Sequence, residues 1–237
     1  GFLETSLADA PRQVRSRDGV VADGVNAVAG IPGAYEWTEA GSVPRSFVVQ
    51  DAASVAVGNA VPLQAGDLVL DLAAAPGGKA AHLADRGATV AAVDRHQRRV
   101  KEGARRFPTL NWIAADGRRP PFNEETFDHV LLDAPCSGLG TMRRRPEIRY
   151  RVEREDVERL SKIQTELLEV ALRLTKPGGT VTYSVCTVTP EETIEVVEKY
   201  PASPPPDLLG KHWGRGVLLG PHLSGTDGMF ISILTRE

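Results

Sequence analysis

The chain holds two cysteines, Cys136 and Cys186, and each follows a short apolar stretch that reads as a buried strand. FDHVLLDAPCSG, from Phe127 to Gly138, carries the first. GGTVTYSVCTVTPEE, from Gly178 to Glu192, carries the second. In a parallel α/β sheet, ligands and chemistry collect at the carboxyl ends of strands, and neighbouring strands lie roughly 4.8 Å apart. If the two strands are neighbours, both thiols face one crevice. Asp133 stands three residues before Cys136 on a turn that Pro135 stiffens and Gly138 lets close. A helix is expected to start near Pro190, and its N-terminal dipole would favour a thiolate at Cys186. An acid and two thiols at adjoining strand ends suggest nucleophilic chemistry; two inert core cysteines are the bland alternative.

A second group of residues suggests a nucleoside. Asp71-Leu-Ala-Ala-Ala-Pro-Gly-Gly-Lys79 has the form of a strand end, a small-residue turn and a helix start. The small side chains of Ala73, Ala74, Ala75, Pro76, Gly77 and Gly78, ahead of Lys79, would let a ligand approach the backbone. The helix N-terminus would offer N–H groups to a carboxylate or phosphate. The pattern is neither GxGxxG nor a P-loop, and an ordinary strand-to-helix turn is the alternative. Asp94 closes the next strand, placed to accept from a ribose diol or to cap the helix behind it. Asp116, in an Asp-Gly turn after the third strand, is placed to meet an adenine amino group or simply to close the turn. Together they describe a nucleoside-binding rim.

The elements that must position these residues alternate. Strands are expected at 68–72, 89–94, 111–115, 127–133 and 180–185. Helices are expected at 51–60 (capped by Asp51), 77–86, 95–107, 153–175 and 190–200. Residues 201–206 read as a loop, and 216–219 with 229–234 as a closing antiparallel pair. Such alternation predicts an α/β fold, a Rossmann-like doubly wound, mostly parallel sheet. Residues 1–46, punctuated by glycine and proline, read as a short N-terminal extension, irregular or short-stranded, and as a remnant of an accessory RNA-binding domain. Residues 47–237 form the catalytic domain of this reading.

With 28 basic and 31 acidic residues, the net charge of −3 argues against a uniformly basic nucleic-acid binder. Its distribution is more telling. Residues 95–106 carry six positive charges against Glu102, and residues 143–154 carry six arginines against Glu147 and Glu153. Solvated helix faces explain such runs in general. The second run directly follows the Cys136 turn and is read as a polyanion contact through Arg143, Arg144, Arg145 and Arg149. Hydrophobic residues at 41 % and charged ones at 25 % are ordinary globular composition. The histidines have no metal-ligand spacing, and no CxxC pair exists, so no metal is expected. Reduced thiols, the lack of a leader pattern and the lack of a membrane-length apolar run fit a cytoplasmic protein without a membrane partner.

LDLAAAPGGKAAHL, DAPCSGLGTMRRRPEIRYR, YSVCTVTPEE and DGMFIS resemble, in order and spacing, the signatures of the Sun (Fmu/RsmB-like) family of RNA cytosine-5 methyltransferases. The resemblance runs from about Phe47 to the C-terminus. It implies the class I methyltransferase fold, S-adenosylmethionine as cofactor, and RNA as partner: 16S ribosomal RNA first, transfer RNA second. It implies that residues 73–79 cradle the methionine end, that Asp94 binds the ribose, and that Asp116 lies by the adenine. Asp133 would lie near the methyl donor and the target base. On this reading Cys186 adds to C6 of cytosine, Asp133 hydrogen-bonds or protonates N3, and Cys136 acts in release. The chain departs from the family at Ala73, where a cysteine is usual, at Val185, where a threonine is usual, and in its short N-terminus. A DNA cytosine-5 methyltransferase, with its nucleophile in a Pro-Cys motif like that at Cys136, and a non-catalytic RNA-binding module are the rival readings.

Overall fold

The computed structural model of the chain describes residues 2–5, 10–19, 21 and 23–237. After a one-turn helix, α1 (Phe2–Thr5), come four short strands: β1 (Gln13–Ser16), β2 (Val25–Ala27), β3 (Ala34–Trp37) and β4 (Phe47–Val49). They form an antiparallel sheet in the order β2-β3-β1-β4. Phe47 meets Trp37 and Tyr35 edge to face, with centroids 5.9 and 6.1 Å apart. The N-terminal region is therefore short-stranded, and β4 carries its sheet past residue 46. Buried Arg15 donates to Asp85 at 2.7 Å and Arg17 donates to the same carboxylate at 2.9 Å. Ile31, Ala34 and Val48 enter the core beneath, which joins the small sheet to the rest.

Next follow α2 (Ala52–Ala60), capped by Asp51, then β5 (Leu68–Asp71), α3 (Gly78–Asp85), β6 (Thr89–Asp94) and α4 (Gln97–Arg106). β7 (Asn111–Ala114), β8 (Phe127–Asp133), α5 (Arg154–Leu174) and β9 (Thr175–Val185) complete the alternation. Strands β7-β6-β5-β8-β9 lie side by side and parallel. Beyond α6 (Ile194–Val197) lie β10 (Ala202–Ser203), β11 (Lys211–Trp213), β12 (Gly216–Leu219), α7 (Pro221–Ser224) and β13 (Met229–Thr235). β13 pairs antiparallel with β9, and β12 and β11 extend that edge. The result is a Rossmann-like, doubly wound, mostly parallel sheet.

Side-chain alternation explains the layering. Val69, Val90, Ala92 and Leu131 enter one core with α2 and α3. Their neighbours Leu70, Ala91, Val93, Val130 and Leu132 enter another with α5 and α6. A sheet covered on both faces is apolar on both, hence the near-continuous hydrophobic strands. The order of connection reverses at β5, which lies between β6 and β8, so the crevice outside its carboxyl end is the expected ligand site.

Three elements differ from expectation. The strand expected at 180–185 begins earlier, at Thr175 directly after α5. The helix expected over 190–200 breaks into a 3-10 turn, Pro190–Glu192, and the short α6. Tyr183 Oη donates to the Glu192 carbonyl at 2.7 Å, taking an acceptor that a continuing helix would need. The 201–206 loop contains β10, whose two residues pair with β13.

Candidate active site

Parallel pairing of β8 with β9 sets Asp133 opposite Ser184, so the residues just beyond each strand share one edge. Cys136 Sγ and Cys186 Sγ lie 3.3 Å apart, both half-buried and both free. Asp133 accepts from Lys79 Nζ at 2.7 Å on one oxygen and from Ser184 Oγ at 2.8 Å on the other. Burial pulls the Lys79 ammonium down, yet the Asp133 charge and hydrogen bond, with Cys186 beside them, outweigh it and raise Lys79 above the ordinary lysine value. Contact with Cys136 lowers Cys186 against the cost of burial, with Lys79 helping. Cys136 is raised by its bond to Cys186, by burial, and by the charges of Asp133 and Glu192.

One expectation changes here. Cys186 gains no dipole from a regular helix, since only a 3-10 turn starts at Pro190; contact with Cys136 and the Lys79 charge lower it instead.

The thiols open into a cleft of about 750 Å³, within the usual range for a small-molecule site. Its walls are the 72–75 turn, the 94–99 stretch, the 116–118 turn and the 133–138 turn, with Arg145, Ile148 and Arg151 at one side. Ala73, Ala75, Asp94, Asp116, Asp133, Cys136 and Cys186 all line it. Asp94 also accepts from the backbone N–H groups of Ala75 (3.2 Å) and His96 (2.9 Å) and pairs with Arg99 at 3.3 Å. Asp116 is held by Arg118, whose hydrogen bonds pull it down to about 2.

Ala74, Pro76, Gly77, Gly78 and Lys79 are not in the wall of this cleft. Gly77 has φ +101°, and a Cβ there would meet the Trp112 and Phe107 rings at 2.7 and 2.9 Å. Its glycine serves the packing of α3 against β7 and the end of α4. The arginine run is also divided. Arg143, its side chain almost wholly buried, donates to the Gly225 carbonyl and faces Asp227, while Arg144 pairs with Asp51 and Asp227. These two tie the Cys136 turn to the start of α2 and to the loop before β13. Arg145 and Arg149 remain on the outside.

Sequence reasoning gave no role to two groups. Glu192 is fully buried and receives hydrogen bonds from Ser137, Gln164 and Thr189; its signal was the Pro-Glu-Glu after Cys186, read only as a helix start. Asp71 is buried with neither carboxyl oxygen closing a hydrogen bond. Burial first and the Asp133 charge second push it up to about 7, with Lys79 pulling the other way. A cleft of this size with Asp94, Asp116 and Asp133 at successive strand ends fits a nucleoside such as S-adenosylmethionine. Among the described residues no group of three His, Cys, Asp or Glu side chains is arranged for a metal, and no helix is long and apolar enough to cross a membrane.

Comparison with known proteins agrees with this geometry. Residues 59–235 match the family described as 16S rRNA methyltransferase RsmB/F. Ribosomal RNA small subunit methyltransferase B of Thermus thermophilus is 37 % identical over 222 residues, 87 % of this chain and 54 % of that protein. The protein of the same name in Vibrio vulnificus is 36 % identical over 201 residues, 80 % and 47 %. The chain thus spans about half the length of the curated relatives it matches. The crystal structure of PH0851 superposes with a TM-score of 0.89 at 26 % identity, covering 99 % of this chain and 62 % of that one. A methyltransferase homologue from Pyrococcus horikoshii superposes at 0.77 with 24 % identity, covering 100 % and 90 %. With that fold, that cleft and that match over most of its length, the chain belongs to the RsmB/F family of 16S rRNA methyltransferases.

Proposed function

We propose that this chain transfers a methyl group from S-adenosylmethionine to C5 of a cytosine in RNA through a covalent bond between Cys186 and C6. The observation that carries this reading is the pair of thiols 3.3 Å apart that open with Asp133 on one cleft, Lys79 being bonded to Asp133 behind its wall. Ribosomal RNA of the small subunit is the first substrate, because the named relatives act on it; transfer RNA is the second.

Bound in the cleft, S-adenosylmethionine supplies an electrophilic methyl group. Asp94 and Asp116 would hold its ribose and adenine. Cytosine C5 is a poor nucleophile, and addition of the Cys186 thiolate to C6 makes it enamine-like. Negative charge then develops on the ring at N3, where Lys79, through Asp133, supplies the proton. After C5 is methylated, its hydrogen leaves as a proton to solvent, the C6–sulfur bond breaks with its electron pair returning to Cys186, and N3 gives its proton back to the Lys79–Asp133 pair. Cys136, the neighbouring thiol, handles a proton in that release.

The base must be unstacked to reach the thiols. Exposed Arg145, Arg149 and Arg151 stand where flanking phosphates would pass. Arg149 lies 4.7 Å over the Tyr150 ring, and that exposed ring offers a stacking face to an unpaired base. The test is labelled methyl transfer to ribosomal RNA, transfer RNA and DNA side by side, followed by mapping of 5-methylcytosine. Transfer to DNA alone would favour the Pro-Cys nucleophile, and transfer to none would leave a binding module.

A further inference from the structure

Two thiols 3.3 Å apart share protons, and their surroundings decide which sulfur stays protonated. Glu192 is hydrogen-bonded to Ser137, the residue after Cys136; the charges of Asp133 and Glu192 raise Cys136, while that of Lys79 lowers Cys186. Buried Tyr183 packs behind and donates to the Glu192 carbonyl. Glu192 is fully buried. One of its oxygens accepts from Ser137 N at 2.8 Å and Gln164 Nε2 at 3.0 Å. The other accepts from Ser137 Oγ at 2.5 Å and Thr189 Oγ1 at 3.0 Å. Ser137 Oγ also meets Thr187 Oγ1 at 2.8 Å. One carboxylate therefore binds the residue after Cys136 twice and, through Ser137, touches the residue after Cys186.

We propose that Glu192 is a positioning residue that sets the roles of the two thiols: its buried charge holds the shared proton on Cys136 and leaves Cys186 as the thiolate. A fixed negative charge in a low-dielectric interior disfavours a second one nearby. Cys136 is the thiol whose turn is tied to that charge, and Cys186 is the one beside the Lys79 ammonium. The consequence for catalysis rests on the methyl-transfer reading above; the proton placement does not.

Glu192→Gln isolates the charge. The amide oxygen can take the place that accepts from Ser137 N and Gln164. Its NH2 can donate to Ser137 Oγ and Thr189 Oγ1, because hydroxyls reverse their direction. Both proteins are treated with iodoacetamide across pH 6 to 9, without RNA or cofactor, and the two cysteine peptides are quantified by mass spectrometry. The wild type is expected to react first at Cys186, with at least about tenfold preference, the equivalent of one pKa unit. In Glu192→Gln the preference should fall toward unity, with the Cys136 profile moving to lower pH. An unchanged preference and unchanged profiles would overturn the proposal. If Glu192→Gln does not fold, the single-thiol forms decide. Cys136 alone, in Cys186→Ser, should need a higher pH than Cys186 alone, in Cys136→Ser, and equality or reversal overturns it. Wild-type methylation with an unaltered partition would sink this proposal alone. A shifted partition in a protein that methylates no nucleic acid would sink the functional reading alone.

Discussion

Lys79 Nζ stands 2.7 Å from Asp133 Oδ2, which joins the first turn of α3 to the end of β8 and places a charged pair against the Cys186 thiol. An ammonium in that position favours the thiolate form of Cys186.

Lys79→Met should therefore raise the pH at which Cys186 is half-alkylated. The expected shift is about one unit, a tenfold loss of thiolate below that pH. Methyl transfer in a single turnover should fall further, by about a hundredfold, since proton delivery is lost as well. Alkylation that follows the wild-type pH profile would remove Lys79 from the account.

Asp71 gives a pH-dependent stability. Its folded value of about 7 lies above the ordinary carboxyl range, so the folded state binds the extra proton. The stabilisation is present below the unfolded value and is lost as pH rises toward 7. Asp71→Asn cannot follow that loss. Its stability relative to wild type should improve between pH 5 and 8 by roughly 2 kcal/mol. Urea unfolding of both proteins at the two pH values measures this, and parallel stabilities would contradict it.

The arginines after the Cys136 turn should divide by function. Arg145 and Arg149 to alanine should weaken RNA binding and reduce the salt slope by about 0.7 for each phosphate contact with a single strand. Arg144→Ala leaves the buried carboxyl of Asp227 short of a partner, and should instead cost about 1–3 kcal/mol of stability. Titrations over a salt series, with unfolding curves alongside, read both. Equal effects of the two changes on the salt slope would restore the run as one surface.

The periods of β5 to β9 and of α5, and the capping of α2 by Asp51, follow from local pattern and are legible in the chain. So is the meeting of the thiols, once two strands of one sheet end at them. The partners of Arg144 are not legible, because Asp51 lies 93 positions away. The four-stranded N-terminal sheet rests on strands of three or four residues, too short to show a period. Glu192 looked like part of a helix start until Tyr183 took its carbonyl and Ser137 its carboxylate. The glycines of the 73–79 turn have the pattern of a ligand approach, yet Gly77 makes way for Trp112.

Gly77→Ala should accordingly act on stability. A side chain at φ +101° against Trp112 and Phe107 costs about 1–3 kcal/mol in strain and crowding. Thermal unfolding followed by tryptophan emission measures it. A variant as stable as wild type with weakened cofactor binding would return Gly77 to the ligand site.

The central claim is that Cys186 attacks and Cys136 releases. Alanine variants of each are incubated with S-adenosylmethionine and labelled RNA, then run on a denaturing gel beside a methylation assay. Cys186→Ala should give neither methylated RNA nor a covalent species. Cys136→Ala should accumulate a denaturation-resistant protein–RNA adduct. An adduct in Cys186→Ala alone would exchange the two roles, and methylation persisting in both variants without any adduct would contradict covalent catalysis in this protein.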